Sequence, residues 1–223
     1  MLQTITPIFT DETALIDLAV RHGLAPAATV LDWNETAAHD AYFLSLAGIS
    51  TDAHVLDLSP HGMRVGLSLA NHVRAGNYVA LEWLDPWVGF SRDLIALHGL
   101  EQAVEFRHGP PSDIVEMGRE WDAIVLWDVP FRGDGTQILQ LLVFAIGVLK
   151  PGGCIAFQYR SPPFLEQPTP VRRGLFGDGS TPEFAAQETT WMYWEQVAKK
   201  LDCRFEVIGK RLTPDTKVAF IRK

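Results

Sequence analysis

The sequence predicts an α/β fold: a doubly wound, mostly parallel seven-stranded sheet with an antiparallel C-terminal hairpin and helices on both faces. Three observations carry this reading. Apolar residues switch repeatedly between strand-like runs and helix-like spacing, the mark of alternating strands and helices. Residues 121–127, Trp-Asp-Ala-Ile-Val-Leu-Trp, are almost continuously apolar, as a strand covered on both faces must be. Residues 204–210 and 217–222 read as two strands joined through Leu212, Thr213, Pro214, Asp215 and Thr216, too short a link for a crossover helix, so they pair antiparallel.

The elements follow in order. Asp11 caps a helix carrying Leu15, Leu18 and Ala19 and ending at Gly23, and Asn34 caps a second ending at Gly48. The first strand is residues 54–58. Met63, Val65, Leu67, Ala70 and Val73 then suit a helix that ends near Gly76. The second strand is residues 77–82, followed by a helix capped by Asp85, with Pro86 at its first position and Trp87, Phe90, Leu94 and Ile95 buried. Residues 103–107 form the third strand, and a short helix over 112–118 leads to the fourth. Ile138, Leu141, Leu142, Ala145, Ile146 and Leu149 share one helical face, which Lys150-Pro151-Gly152-Gly153 terminates. The fifth strand is residues 154–159. About 25 aperiodic residues rich in Pro and Gly follow, then a helix that starts at Thr181, Pro182 and Glu183 and buries Trp191, Trp194, Val197, Ala198 and Leu201.

Composition narrows the function. With 223 residues, 47% of them hydrophobic, one continuous core is the expectation. A net charge of -8 without a run of Lys or Arg argues against nucleic acid or anionic lipid as partner, which leaves a small-molecule substrate. The longest apolar run, residues 138–149, is interrupted by Gln140 and Gly147 and is far short of the roughly 20 residues that span a bilayer. The N-terminus has neither a basic start nor an apolar stretch, so the expected location is cytoplasmic. Cys154 and Cys203 are too few for a disulfide framework, and no Cys/His cluster has metal-ligand spacing, so no metal is expected.

Five β/α units followed by an antiparallel hairpin resemble the class I (Rossmann-like) S-adenosylmethionine-dependent methyltransferases, from about His54 to the C-terminus. Val55-Leu56-Asp57-Leu58 resembles the family's first motif, Glu82 stands where the family keeps an acid at the end of the second strand, and Leu149-Lys150-Pro151-Gly152-Gly153 resembles its stretch before the fifth. The resemblance implies S-adenosylmethionine as cofactor. An acid 20 to 25 residues after the first turn can accept hydrogen bonds from ribose hydroxyls, and Glu82 lies 25 residues after Asp57. Trp83, beside it, is placed to lie against adenine.

The first loop departs from the family pattern. Gly-x-Gly-x-Gly is usual there, because glycine lets the backbone approach the cofactor and take positive φ. Here Ser59, His61 and Met63 stand at the three glycine positions, Pro60 constrains the turn, and Gly62 supplies the flexible point. Ser59 and His61 could meet the amino-acid end of the cofactor, and His61, whose reference pKa lies near neutrality, could act as a base. After the third strand, Gly109-Pro110-Pro111-Ser112 replaces an acid that faces adenine in the family, and Ser112 or Asp113 could substitute.

Ligands of α/β sheets lie beyond the carboxyl ends of the strands. Asp128, after the fourth strand, could orient or deprotonate a hydroxyl or amine; Tyr159 and Arg160, ending the fifth, could meet an acidic or phenolic substrate. Trp33, Trp83, Trp87, Phe131, Trp191 and Tyr193 include candidates for the walls of a pocket. Residues 1–50 are expected to form a helical extension or cap that could pair between chains as a homodimer. Residues 51–223 form the methyltransferase domain, with an insertion at about 161–185. The leading expectation is methyl transfer to O or N of a small, aromatic or apolar molecule. Two alternatives stand beside it: an enzyme that uses the same cofactor site for a cyclisation or elimination, and a non-catalytic binding protein with a degenerate site.

Overall fold

The computed structural model describes residues 3–25, 32–58, 60–127, 135–160, 191–210 and 216–223. Its single sheet contains β1 (Val55–Asp57), β2 (Tyr78–Glu82), β3 (Val104–His108), β4 (Trp121–Leu126), β5 (Leu149–Arg160), β6 (Arg204–Lys210) and β7 (Thr216–Arg222). The order across the sheet is β3-β2-β1-β4-β5-β7-β6. The first five strands run parallel, and β7 lies antiparallel between β5 and β6, as the short final connection requires.

Alternation along the strands divides the core in two. Val55, Tyr78, Ala80, Ala123, Val125, Ala156 and Phe220 face one layer, which holds α1 (Glu12–Arg21), α2 (Trp33–Leu46), α3 (Gly66–His72) and α4 (Asp85–Leu97). Leu56, Val79, Leu81, Ile124, Ile155, Phe157 and Ile221 face the other, against α5 (Asp113–Glu116), α6 (Gly135–Val148) and α7 (Trp191–Lys200). Two buried faces explain why residues 121–127 read as an almost unbroken apolar run. The residues before α1 are strapped across the first layer: the backbone N–H of Ile5 donates to Ser45 Oγ and that of Ile8 to Ser68 Oγ.

Asp11 caps α1 through the backbone N–H of Ala14. Two other expected caps are corrected. The side chain of Asn34 lies inside α2 and is taken up by the backbone of Thr10, accepting its N–H and donating to its carbonyl. Asp85 begins α4 rather than capping it, and its carboxylate pairs with His108 at the end of β3. In both cases a distant partner outcompetes the local amide. The chain after β1 makes a 3₁₀ turn, His61–Met63, before α3 begins, so the expected helix is shorter. Leu149 already pairs with Trp121, so Lys150 to Gly153 open β5 rather than merely ending α6; Gly152 meets the C-terminal carbonyl of Lys223 there. The expected helix start at Thr181 and the insertion at 161–185 lie outside the described residues.

The strand order reverses between β1 and β4, since β1 is followed by β2 on one side while β4 lies on the other. In such sheets the crevice beyond the carboxyl ends at that reversal is where ligands bind. The turn after β1, the end of β2 and the end of β4 all converge there.

Candidate active site

At the floor of this crevice Asp57 is fully buried and accepts a hydrogen bond from the hydroxyl of Tyr78, 2.8 Å away on the neighbouring strand. Burial pushes the Tyr78 phenol well above its ordinary pKa, and the adjacent Asp57 and Glu82 carboxylates push it in the same direction. Tyr78 therefore remains a donor, and Asp57 braces the strand end. The hydroxyl lies beneath the start of α3: a Cβ at Gly66 would sit 2.4 Å from it and 2.9 Å from Met63 Cε. Only glycine fits there.

Glu82 closes β2 and is 0% exposed. Its Oε1 accepts the backbone N–H groups of Trp83 and Leu84, at 3.0 and 2.9 Å. Its Oε2 accepts the backbone N–H of His61 at 3.0 Å, with His61 Nδ1 3.7 Å away. An ionised carboxylate offers about four acceptor positions, and three are thus taken by the chain's own amides. The sequence places Glu82 as an acceptor for ribose; the structure adds that the first turn has reached it first.

That turn is held from the other side. His61, Gly62 and Met63 all have positive φ, at 36°, 80° and 64°. A Cβ at Gly62 would meet the rings of Phe90, Trp33 and Trp87 at 2.9, 3.0 and 3.0 Å. Trp33 and Trp87 pack edge-on against Phe90, and the imidazole of His61 stacks on Trp87 with centroids 6.4 Å apart. His61 is buried, yet neither ring nitrogen finds a hydrogen-bond partner among the described residues. The same holds for the buried indole N–H groups of Trp33, Trp83 and Trp127.

Three residues that the sequence reading did not single out complete the crevice. Asp40 of α2 is fully buried, with Arg64 Nη2 3.4 Å from Oδ2 and Gln158 Nε2 of β5 3.4 Å from Oδ1. They tie the N-terminal helices to the first turn and to β5. Asp40 was legible, because it lies on the same stripe as Trp33, Ala37, Ala41 and Leu44, where an acid must be buried.

The remaining predicted residues are placed as follows. Trp83 follows Glu82 at the crevice. Ser112 is exposed at the start of α5, beyond a loop whose Gly109 N–H donates to the Glu82 carbonyl. Ser59 and Asp128 lie outside the described residues, as does Phe131. Tyr159 and Arg160 end β5, opposite Lys217 and Thr216 of β7, with only their backbone described. Among the described residues no group of His, Cys, Asp and Glu could hold a metal ion, and no helix is long and apolar enough to cross a membrane.

No protein-family model matches the sequence, and no curated protein matches it by sequence. Solved structures do resemble it. One is the precorrin-6y C5,15-methyltransferase of Geobacter metallireducens GS-15, at 15% identity and a TM-score of 0.59, covering 85% of this chain and 89% of that one. Another is the O-methyltransferase TomG of Streptomyces achromogenes, involved in tomaymycin synthesis and solved in complex with S-adenosylmethionine, at 15% identity and a TM-score of 0.61, covering 98% and 92%. A third is the mitomycin 7-O-methyltransferase MmcR, at 17% identity and a TM-score of 0.65; this chain aligns over 96% of its own length and 61% of MmcR's. At such identities the likeness establishes the fold, which is that of class I methyltransferases, in agreement with the strand order.

Proposed function

We propose that this chain is an S-adenosylmethionine-dependent methyltransferase acting on an oxygen or nitrogen of a small aromatic or apolar molecule. The observation that carries the reading is the buried Glu82 carboxylate, at the carboxyl end of β2 and touching the first turn where the strand order reverses. The residues present fit a nucleoside cofactor in kind. Glu82 is an acceptor for sugar hydroxyls, the Trp83 indole is a flat surface beside it, and the unpartnered nitrogens of His61, Trp83 and Trp127 are polar groups a ligand could satisfy. The bound cofactor would supply an electrophilic methyl group on sulfur. Asp57, tied to Tyr78, fixes the strand end from which the first turn departs, and His61 is the titratable side chain at that turn available to take an acceptor's proton.

The wider reading is consistent with this assignment. Residues 1–50 serve as a cap and residues 51–223 as the catalytic domain, with residues 161–185 inserted beside the acceptor site. Asp128 and Tyr159 are the further candidates for orienting the acceptor, Ser59 and Ser112 for holding the cofactor. The acidic net charge favours a small-molecule substrate over nucleic acid or membrane. Cytoplasmic location and pairing through the N-terminal helices complete the proposal.

A second reading, a non-catalytic binding protein with a closed site, draws on the three backbone N–H groups already seated on Glu82. Calorimetric titration separates the two. S-adenosylmethionine and S-adenosylhomocysteine should both bind, and NAD should not; silence from the first two at millimolar concentration would leave the second reading in possession. A reaction other than methyl transfer is detected by mass spectrometry, because only methylation adds one methyl group to the product and yields S-adenosylhomocysteine.

A further inference from the structure

We propose that residues 60–63 form a gate over the nucleoside site: when closed, the turn places its own backbone N–H on the carboxylate a ribose would use, and ligand enters only after it lifts from Glu82. This inference rests on the functional reading above and adds a regulatory step to the same site. The first ground is competition. Glu82 is fully buried, and its Oε2 accepts the His61 N–H at 3.0 Å; a sugar hydroxyl would need to donate to that region from the same side. While the turn stays down, none of the carboxylate is exposed.

The second ground is that the closed turn is poised rather than relaxed. Positive φ at His61 and Met63 is costly for residues with a Cβ, and such conformations persist only where their surroundings over-determine them. The surroundings here are the bond to Glu82, the aromatic clamp of Trp33, Trp87 and Phe90 around Gly62, and the burial of Met63 in the first core layer. The first two are local to the turn. The third ground is the imidazole of His61, enclosed in the closed state with neither nitrogen hydrogen-bonded and with Nδ1 3.7 Å from Glu82 Oε2. Lifting the turn returns that ring to water or to a ligand, which offsets part of what closing gains. Strain and orphaned polarity therefore oppose the clamp and the Glu82 bond, the balance expected of an element with two arrangements.

When the competent state is a minor fraction, the apparent dissociation constant is the intrinsic one divided by that fraction, so weakening the closed state tightens binding in proportion. Gly62→Ala is the informative substitution. Its Cβ would overlap three rings at 2.9 to 3.0 Å and would be forced to φ 80°. Gly76→Ala is the control, since Gly76 has φ 82° but nothing within 4 Å of an added Cβ. S-adenosylhomocysteine should bind Gly62→Ala about tenfold more tightly than the wild type, and Gly76→Ala as the wild type does. Tryptophan fluorescence in the wild type, through Trp33 and Trp87, should change on mixing with a rate that falls toward a plateau as ligand rises, because opening precedes binding. Should Gly62→Ala fail to fold, Trp87→Leu loosens the same clamp and should also tighten binding, while the wild-type kinetics still decide. Equal or weaker binding to the loosened variants, with a wild-type rate linear in ligand, would overturn the gate and leave the methyltransferase reading standing. Absence of binding to wild type and variants alike would overturn both.

Discussion

Replacing Glu82 by glutamine tests whether this carboxylate organises the crevice as described. The side chain is fully buried, accepting Trp83 and Leu84 N–H groups on one oxygen and the His61 N–H on the other. Glutamine keeps the shape and one carbonyl oxygen. Its better orientation keeps the pair on the Oε1 side and turns the NH₂ group toward the His61 N–H, donor against donor across 3.0 Å. One buried donor is lost, and the two remaining bonds lose the help of a charge. The expected cost is about 1.5 to 3 kcal/mol, the usual range for a hydrogen bond to a charged group. Alanine would be less informative. It would orphan one buried and two half-buried donors, at up to about 1 to 3 kcal/mol each, a large part of the roughly 5 to 15 kcal/mol that holds a domain together.

Urea unfolding read by far-ultraviolet circular dichroism should therefore shift to a lower midpoint in Glu82→Gln with an unchanged slope, since the same surface is exposed on unfolding. At about 2 to 4 °C per kcal/mol for a chain of this size, the melting temperature should fall by about 3 to 12 °C. A variant within about 0.5 kcal/mol of the wild type, the scatter of ordinary surface substitutions, would mean that the carboxylate does not hold the first turn.

Two further outcomes follow from the same interior. Tyr78→Phe should lose about 1 to 3 kcal/mol at neutral pH, because Asp57 keeps its burial and loses the 2.8 Å hydroxyl. The phenol's pKa is raised in the folded state, so its contribution is complete below the unfolded value near 10 and is lost as pH rises beyond it; urea unfolding of the two proteins should accordingly converge at strongly alkaline pH, and a difference that grows there would refute the assignment. Cys154 is buried, and its thiol is pushed up to about 11, so at pH 8 roughly one molecule in a thousand carries the thiolate. Iodoacetamide should label Cys154 only on unfolding, as peptide mass spectrometry would report; rapid labelling in the native protein would contradict its burial.

Much of the fold was legible because its causes are local or periodic. Residues 121–127 read as a doubly covered strand and β4 occupies 121–126, with Ala123 and Val125 buried in one core layer and Ile124 and Leu126 in the other. The antiparallel pairing of β6 and β7 followed from the length of their link alone. Boundaries failed where a distant group intervened. Asn34 and Asp85 carry good capping side chains, but Thr10 and His108 reach them across the fold. Lys150-Pro151-Gly152-Gly153 looks like a helix stop, yet Gly152 meets Lys223 some 70 residues on, and the segment becomes the opening of β5.

At the site, spacing identified Glu82, and composition identified an unusual first turn, but neither could say where that turn goes. The direction is decided by side chains that standard glycines would lack. Met63 is fully buried beside Gly66, and His61 stacks on Trp87. Between these two large committed side chains, the one residue without a Cβ, Gly62, sits in the slot formed by Trp33, Trp87 and Phe90. The departure from the family's glycine pattern is thus more than a loss of flexibility. It supplies bulk that packs the turn down onto the Glu82 carboxylate, so on the proposed reading the affinity for a nucleoside depends on how much of that packing an arriving ligand can replace. Trp33 comes from α2 and Trp87 from α4, on either side of the turn in the sequence; the stability of the closed crevice is therefore a property of the N-terminal helices as much as of the motif, and substitutions on α2 should tune ligand binding without touching the ligand.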